Sequence, residues 1–271
     1  MVDASLRAFE DPEAHQTIAA IIRRRSTHPE DVREVLLRGL DLAAVRDALD
    51  LGCGFGFMAG AIARRAAPGV RVVGVDACPA NAAPFLASVA AAAAAAPERA
   101  PAAEFNALHL DARLPYGDAA FDLVVAAYSL YFFPAVLPEI ARVLRPAGWL
   151  VALTHSERSF VELLRAAGIE PEGSPLLALV RRFSAENAEP RLARHFAEVE
   201  RIDYPNRLRF GPADVDEAVS YLRFKLPLLG PVEDPATAIQ AWMREHGELL
   251  VTKDDTGFRC RWPRPAEGGR G

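Results

Sequence analysis

From position 47 onward, short uninterrupted apolar runs alternate with segments of helical periodicity. The runs occupy 48–51, 70–75, 105–110, 121–127 and 149–153, and helix candidates lie between them at 58–67, 79–96, 134–144 and 160–167. Strands buried on both faces read as continuous apolar runs rather than as alternation, and parallel strands need crossovers of this length. Residues 47–168 therefore predict a doubly wound α/β sheet with five parallel strands. The first 46 residues read as helices: Asp11 can cap a helix opening at Pro12, and Thr27 forms a capping box with Glu30, with Pro29 in the first turn. Gly39 stands near the end of that second helix.

After Gly168 the alternation weakens. Segments 199–204, 207–210, 249–252 and 258–262 look extended, whereas 214–225 and 236–246 look helical across the proline-bearing stretch 227–235. This tail predicts the antiparallel edge of the same sheet, with a helical insertion over one end. The expected organisation is an N-terminal helical segment over 1–46 and a ligand-binding domain over 47–271, carrying a lid at about 211–247. The last residues, 263–271, look frayed.

Composition narrows the class. The 271 residues are 51% hydrophobic and 25% charged, ordinary for a folded chain, and the net charge of −5 gives none of the basic excess of a nucleic-acid binder. Three scattered cysteines, Cys53, Cys78 and Cys260, form no disulfide framework and no C-x-x-C pair. The N-terminus lacks a basic-then-apolar signal, and no apolar run is long enough to span a membrane, which points to a cytoplasmic protein with no membrane partner.

The most informative segment is Asp50-Leu51-Gly52-Cys53-Gly54-Phe55-Gly56, directly after the first strand and before a helix. Glycines at such a turn let backbone approach a ligand closely. Two cofactor classes compete for it. Read from Gly54, Gly54-x-Gly56-x-x-Ala59 fits a dinucleotide fingerprint, and an NAD(P)-dependent oxidoreductase is the alternative it supports. Read from Asp50, the loop is D-x-G-x-G-x-G. A carboxylate there repels a pyrophosphate but favours S-adenosylmethionine, which brings an ammonium and a sulfonium. Asp76 ends the second strand with Ala77 beside it, placed to accept both hydroxyls of a ribose. Asp111, after the third strand, can accept from an adenine amino group, with Ala112 as a backbone donor and Leu114 as apolar cover. Each aspartate alone could be a simple turn or cap residue; together with the loop they outline one nucleoside slot. A slot kept only for sensing, without catalysis, is the third possibility.

These pieces are similar to the class I S-adenosylmethionine-dependent methyltransferases. The matching stretches are Leu49-Asp50-Leu51-Gly52-Cys53-Gly54-Phe55-Gly56, Val73-Gly74-Val75-Asp76, Leu110-Asp111-Ala112, Phe121-Asp122-Leu123-Val124-Val125 and Arg142-Val143-Leu144-Arg145-Pro146-Ala147-Gly148, the last departing from the family turn only at Ala147. The resemblance implies a Rossmann-like seven-stranded sheet whose final strand is antiparallel. It also implies Asp50, Gly52, Cys53, Gly54 and Gly56 around the methionine part, Asp76 and Ala77 at the ribose, Asp111 and Ala112 at the adenine, and backbone near Ala127 facing the sulfur.

Methyl transfer from a sulfonium demands alignment more than acid–base chemistry, so sequence constrains catalytic residues weakly. His155 and Tyr128, at the ends of the fifth and fourth strands, are the candidates, His155 as a base with an unperturbed pKa near 6.5. The aromatic run 128–133 could line an acceptor pocket or open the next helix, and Tyr221, Phe224 and Trp242 could close a lid or pack the insertion's own core. Arg23-Arg24-Arg25 is expected to be a solvated helix end. No Asp/Asn-Pro-Pro-Tyr/Phe follows the fourth strand, and no His/Asp set has metal-ligand spacing. The expectation is a small-molecule acceptor, methylated at oxygen, with no metal and no nucleic acid.

Overall fold

In a computed structural model, residues 9–92, 100–229 and 234–264 are described. Five parallel strands, β1 (Asp47–Leu51), β2 (Arg71–Asp76), β3 (Ala102–Ala107), β4 (Phe121–Ala127) and β5 (Leu144–His155), are joined by β6 (Phe196–Tyr204) and β9 (Asp255–Pro263). The sheet order is β3-β2-β1-β4-β5-β9-β6, with β9 antiparallel to both neighbours. The expected doubly wound, seven-stranded sheet with an antiparallel last strand is present.

Both faces of the sheet are covered, as the unbroken apolar runs require. Along β4, Val124 and Ala126 enter one core while Leu123 and Val125 enter the other. The first core is closed by α5 (Leu137–Val143) and α8 (Ala188–Leu192). The second is closed by α2 (Val32–Leu37), α3 (Ala59–Ala63) and α4 (Ala82–Ala90). The expected helix 79–96 is α4 as far as Ala90, and its end falls at 93–99, outside the described residues. The expected frayed end likewise falls mostly at 265–271, outside them.

Three expectations need correction. Segments 207–210 and 249–252 do not extend the main sheet; they pair with each other as a ribbon, β7 (Arg207–Phe210) with β8 (Leu249–Thr252). Their buried residues Leu208, Phe210, Leu249 and Val251 belong to a third core shared with α1 (Pro12–Arg25), α6 (Val161–Ala166), α7 (Pro175–Val180), α9 (Val215–Leu229) and α10 (Pro235–His246). Thr27 caps no helix either. Its amide donates to the Arg207 carbonyl at 2.9 Å and to Asn206 Oδ1 at 3.1 Å, because Ser26 bridges to Leu208 and draws this segment alongside β7. Asp31 caps α2 instead, accepting from the Arg33 amide at 2.9 Å. Asp11 caps α1 as expected, accepting from Glu13 and Ala14 at 3.0 and 3.1 Å.

The N-terminal helices are tied to both layers. Arg259 on β9 donates to the Leu36 and Val35 carbonyls at 2.8 and 2.9 Å, closing the end of α2. At Gly257 the Leu36 side chain lies where a Cβ would stand, 1.9 Å from its ideal position. Helix α1 is latched to α9 by Arg24 and Arg25, both on Glu217 at 2.5 Å, and by Arg25 on Asp214 at 2.7 Å. Arg24 and Arg25 therefore form a helix–helix latch rather than a solvated end.

Replacing Gly257 by valine should force α2 off the sheet, destabilising the fold by about 1–3 kcal/mol, the usual scale for overpacking a core. Urea unfolding of the variant against the parent measures this; an unchanged midpoint would show that α2 is not held at this contact.

Candidate active site

A cavity of 490 Å³ opens where the C-terminal ends of β1, β2, β4 and β5 meet α1 and α9. This is the switch point at which strand order reverses between β1 and β4, the usual ligand position in open α/β sheets. Its floor is the glycine loop. Gly52 has φ +67°, and a Cβ there would stand 2.5 Å from Ser129 Cβ, so the loop lies flush against the chain leaving β4. Gly56 does not line the cavity; it packs on Ser88, whose hydroxyl donates to the Gly56 carbonyl at 2.9 Å.

Two carboxylates face this floor. Asp50 is 3% exposed, and its Oδ2 is buried without a hydrogen-bond partner. Burial, reinforced by the negative field of Asp76, raises its pKa to about 7. Asp76 accepts from the Gly54 amide at 2.8 Å through Oδ2 and from the Cys78 amide at 2.8 Å through Oδ1. Asn81 Nδ2 adds a third donor at 3.2 Å. A cation or a set of hydroxyl donors relieves this paired negative charge; a pyrophosphate aggravates it. Cys53, Gly54, Ala77 and Ala127 also line the cavity, and burial raises the Cys53 thiol far above its ordinary range, so it is inert.

Asp111 and Ala112 are not brought to this cavity. Strand β3 ends at Ala107, three residues earlier than the apolar run, and the Asp111 carboxylate folds back onto the amides of Ala112 and Arg113. Leu108, His109 and Leu110 reach the cavity from this segment, while Leu114 is buried against the sheet.

The opposite end holds both catalytic candidates. Tyr128 has φ +56°, a left-handed conformation costly for an aromatic residue, and its hydroxyl donates to Asp255 Oδ2 at 2.7 Å. His155 Nδ1 lies 2.6 Å from Asp255 Oδ1, and its ring stacks on Tyr128 with centroids 4.6 Å apart. The carboxylate fixes the tautomer with the proton on Nδ1, leaving Nε2 as an acceptor. Lys253 Nζ donates to Asp255 Oδ2 and, at 3.1 Å, to the Tyr128 hydroxyl. Burial resists ionisation of Asp255, yet Lys253 and His155 together hold its pKa below the usual carboxylate value. Burial lowers His155 to about 4, despite Asp255 and with Lys253 and Lys225 reinforcing the shift, so the imidazole is neutral and weakly basic.

Helices α9 and α1 complete the enclosure. From α9, Tyr221, Phe224 and Lys225 line the cavity, and from α1 so does His15, whose ring stacks on Phe224 at 5.4 Å and meets Phe55 edge-on at 4.8 Å. Burial, helped by Lys225, lowers His15 to about 4. The run 128–133 is a loop rather than a helix start, and Tyr128, Ser129, Tyr131, Phe132 and Phe133 all face the cavity. Trp242 stays outside, stacked on His246 at 4.0 Å. Sequence reasoning missed Asp255, Lys253, Lys225 and His15. A lysine on an otherwise apolar helical face, at 225, was the signal available for one of them. Among the described residues no cluster could hold a metal ion, and no helix is long and apolar enough to cross a membrane.

Residues 49–152 match the family model of a methyltransferase domain. A curated relative, nocamycin O-methyltransferase of Saccharothrix syringae, is 39% identical over 129 residues, covering 45% of this chain and 44% of that protein. The matched part is thus somewhat under half of the relative's length. Among solved structures, a putative methyltransferase from Bacillus halodurans superposes with a TM-score of 0.52 at 15% identity, over 86% of this chain and 99% of that one. The cyclase SpnF superposes with a TM-score of 0.50 at 20% identity, over 85% and 80%. At these identities the two structures speak for the fold. Residues 49–152 are thus similar to a methyltransferase domain, within a fold shared with these structures.

Lys225, lowered by burial from 10.5 to about 7, tests the site's electrostatics. A depressed folded-state pKa means that its ammonium destabilises the fold fully below pH 7, an effect that fades as pH rises toward 10.5. Lys225→Met should therefore raise stability by about 2 kcal/mol or more at pH 7, with the gain shrinking toward pH 10. Thermal melts of both proteins across that range measure it; a pH-independent difference would show that Lys225 is not buried as a cation.

Proposed function

We propose that this protein transfers the methyl group of S-adenosylmethionine to an oxygen atom of a small-molecule acceptor in the cytoplasm, without a metal and without a nucleic-acid or membrane partner. The observation that carries the cofactor assignment is the orphaned, buried Asp50 Oδ2 beside Asp76 on a glycine floor. Asp50 would face the ammonium of the methionine part, directly or through an ordered water, and in doing so regain its charge. Asp76, whose Oδ2 keeps a lone pair while Oδ1 already accepts from Cys78 and Asn81, would accept a ribose hydroxyl, and Leu108 and Leu110 would cover the base. Gly52, Cys53, Gly54 and Ala77 would supply the close backbone approach, with Ala127 nearest the reacting end. Bound there, the cofactor supplies a sulfonium-activated methyl group that needs alignment rather than further activation.

The acceptor end is assigned to Tyr128 and His155. The aromatic wall of 131–133 and the lid residues Tyr221 and Phe224 favour an acceptor with an apolar or aromatic body. The His155 Nε2 is available to accept a hydrogen bond from a donor group on the acceptor's body and so position it, and Asp255 holds the ring in place. The relation to an O-methyltransferase supports oxygen as the atom methylated. Three buried, unpaired cysteines suit a reducing compartment.

Calorimetric titration should show micromolar binding of S-adenosylhomocysteine and none of NADH or NADPH. Asp76→Ala should weaken that binding by roughly 1–3 kcal/mol, the scale of lost charge-assisted hydrogen bonds. Binding of a nicotinamide cofactor instead would overturn the assignment in favour of an oxidoreductase. For His155→Ala, loss of turnover with unchanged S-adenosylhomocysteine affinity is expected; an unaffected kcat would remove His155 from the acceptor site.

A further inference from the structure

Lys225 is 9% exposed, lines the cavity, and among the described residues has neither a hydrogen-bond acceptor nor an ion-pair partner. Its Nζ lies over the rings of Phe160, Phe224 and Tyr221, at 4.7, 5.6 and 5.7 Å from their centroids. Aromatic faces soften the isolation of a buried ammonium but do not neutralise it. Asp255, the carboxylate whose field reaches Lys225, is already engaged by Lys253, Tyr128 and His155. The other groups around the lysine bring no negative charge. His15 on α1 and His155 on β5 are neutral, and burial pushes the phenols of Tyr131 and Tyr221 upward, so they stay protonated. Two lysines against one carboxylate leave this end of the cavity with a positive surplus whenever Lys225 is protonated, a state that a bound anion favours.

We propose that Lys225 receives the acceptor as an oxyanion, so that the substrate class is a small acidic molecule, a carboxylic acid, phenol or enol, with an apolar or aromatic body. This rests on the methyl-transfer reading above and specifies its acceptor. The acceptor oxygen forms the new O–C bond with its own lone pair, the electron pair of the breaking C–S bond stays on sulfur, and no proton is displaced. No strong base is needed, in accord with the neutral and weakly basic His155. An oxyanion meeting a cationic donor becomes a neutral product, which no longer pairs with Lys225.

The test uses 2-naphthoate and its neutral amide, 2-naphthamide, titrated into the full chain with and without S-adenosylhomocysteine, for the parent, Lys225→Met and Lys225→Arg. In the parent, the acid should bind at least about tenfold more tightly than the amide. Lys225→Met should reduce that ratio to near one while S-adenosylhomocysteine affinity stays unchanged, and Lys225→Arg, which keeps the charge, should retain the preference. Equal affinities in the parent, or a preference that survives in Lys225→Met, would overturn the proposal. Failure of S-adenosylhomocysteine to bind would overturn the methyl-transfer reading separately, since the acid–amide comparison without it still decides whether Lys225 holds an anion.

Discussion

The antiparallel course of β9 is the constraint on which the acceptor end of this molecule depends. A parallel strand would begin at the edge of the sheet remote from the ligand. Running the other way, β9 begins where β5 and β6 end, so its first residue, Asp255, stands in register with His155 on one side and Tyr204 on the other. The two-residue link from β8 then places Lys253 beside the same carboxylate. Asp255 thus sits between an imidazole, a phenol and an ammonium in a region where an unpaired carboxylate would be very costly. The network holds both candidate side chains in one orientation before any ligand arrives, which is what alignment-limited chemistry requires.

The cavity is electrically divided along its length. Asp50 and Asp76 give the glycine floor a negative field, while Lys225 and Lys253 outnumber Asp255 at the lid. Both ends are shielded from water by α1 and α9, whose arginine–glutamate latch and His15–Phe224 stack close the space above the sheet. In so enclosed a volume the field of each charge is felt strongly. Each end therefore carries charge that only a ligand of the opposite sign completes: a cationic donor below and an anionic acceptor above. The third core, which gathers α1, α9, α10 and the β7–β8 ribbon, packs together the elements that carry His15 and Lys225.

The floor of the site was legible in the sequence because its chemistry is local. A glycine turn after a strand, a carboxylate just before it and another at the next strand end are set by contiguous residues, and Asp50 and Asp76 stand where that pattern put them. The acceptor end was not legible, because it is assembled from distant segments. Asp255 lies 100 residues from His155, in a polar Asp-Asp-Thr-Gly stretch whose local pattern reads as a turn, so the last strand was expected to start only at 258. His15 looked like an ordinary residue of an amphipathic helix, and nothing local shows that this helix crosses the glycine loop. The same limit explains Thr27 and the β7–β8 ribbon. Thr27 has the residue type of a cap, but tertiary pairing with Asn206 and Arg207 outcompeted the local motif, and apolar alternation in 207–210 and 249–252 says that a face is buried without saying against which core. Asp111 shows another limit of the local pattern: expected as a ligand group directly after a strand, it follows a strand that ends earlier, and its carboxylate accepts from the amides of its own turn.

Fold likeness alone does not select a reaction, since a protein described as a cyclase shares this architecture over most of its length. The choice rests on what the side chains can do to a proton. A histidine held near pKa 4 by burial and by two lysines retains little driving force to deprotonate an alcohol or an amine. The same lysines lower the proton affinity of any acceptor oxygen placed beside them, because they stabilise its anion. Both effects come from one arrangement of charges, and both point toward acceptors that are already acidic. The weak base and the unpaired lysine are therefore two consequences of a single design, in which the cavity binds the reactive ionisation state instead of generating it.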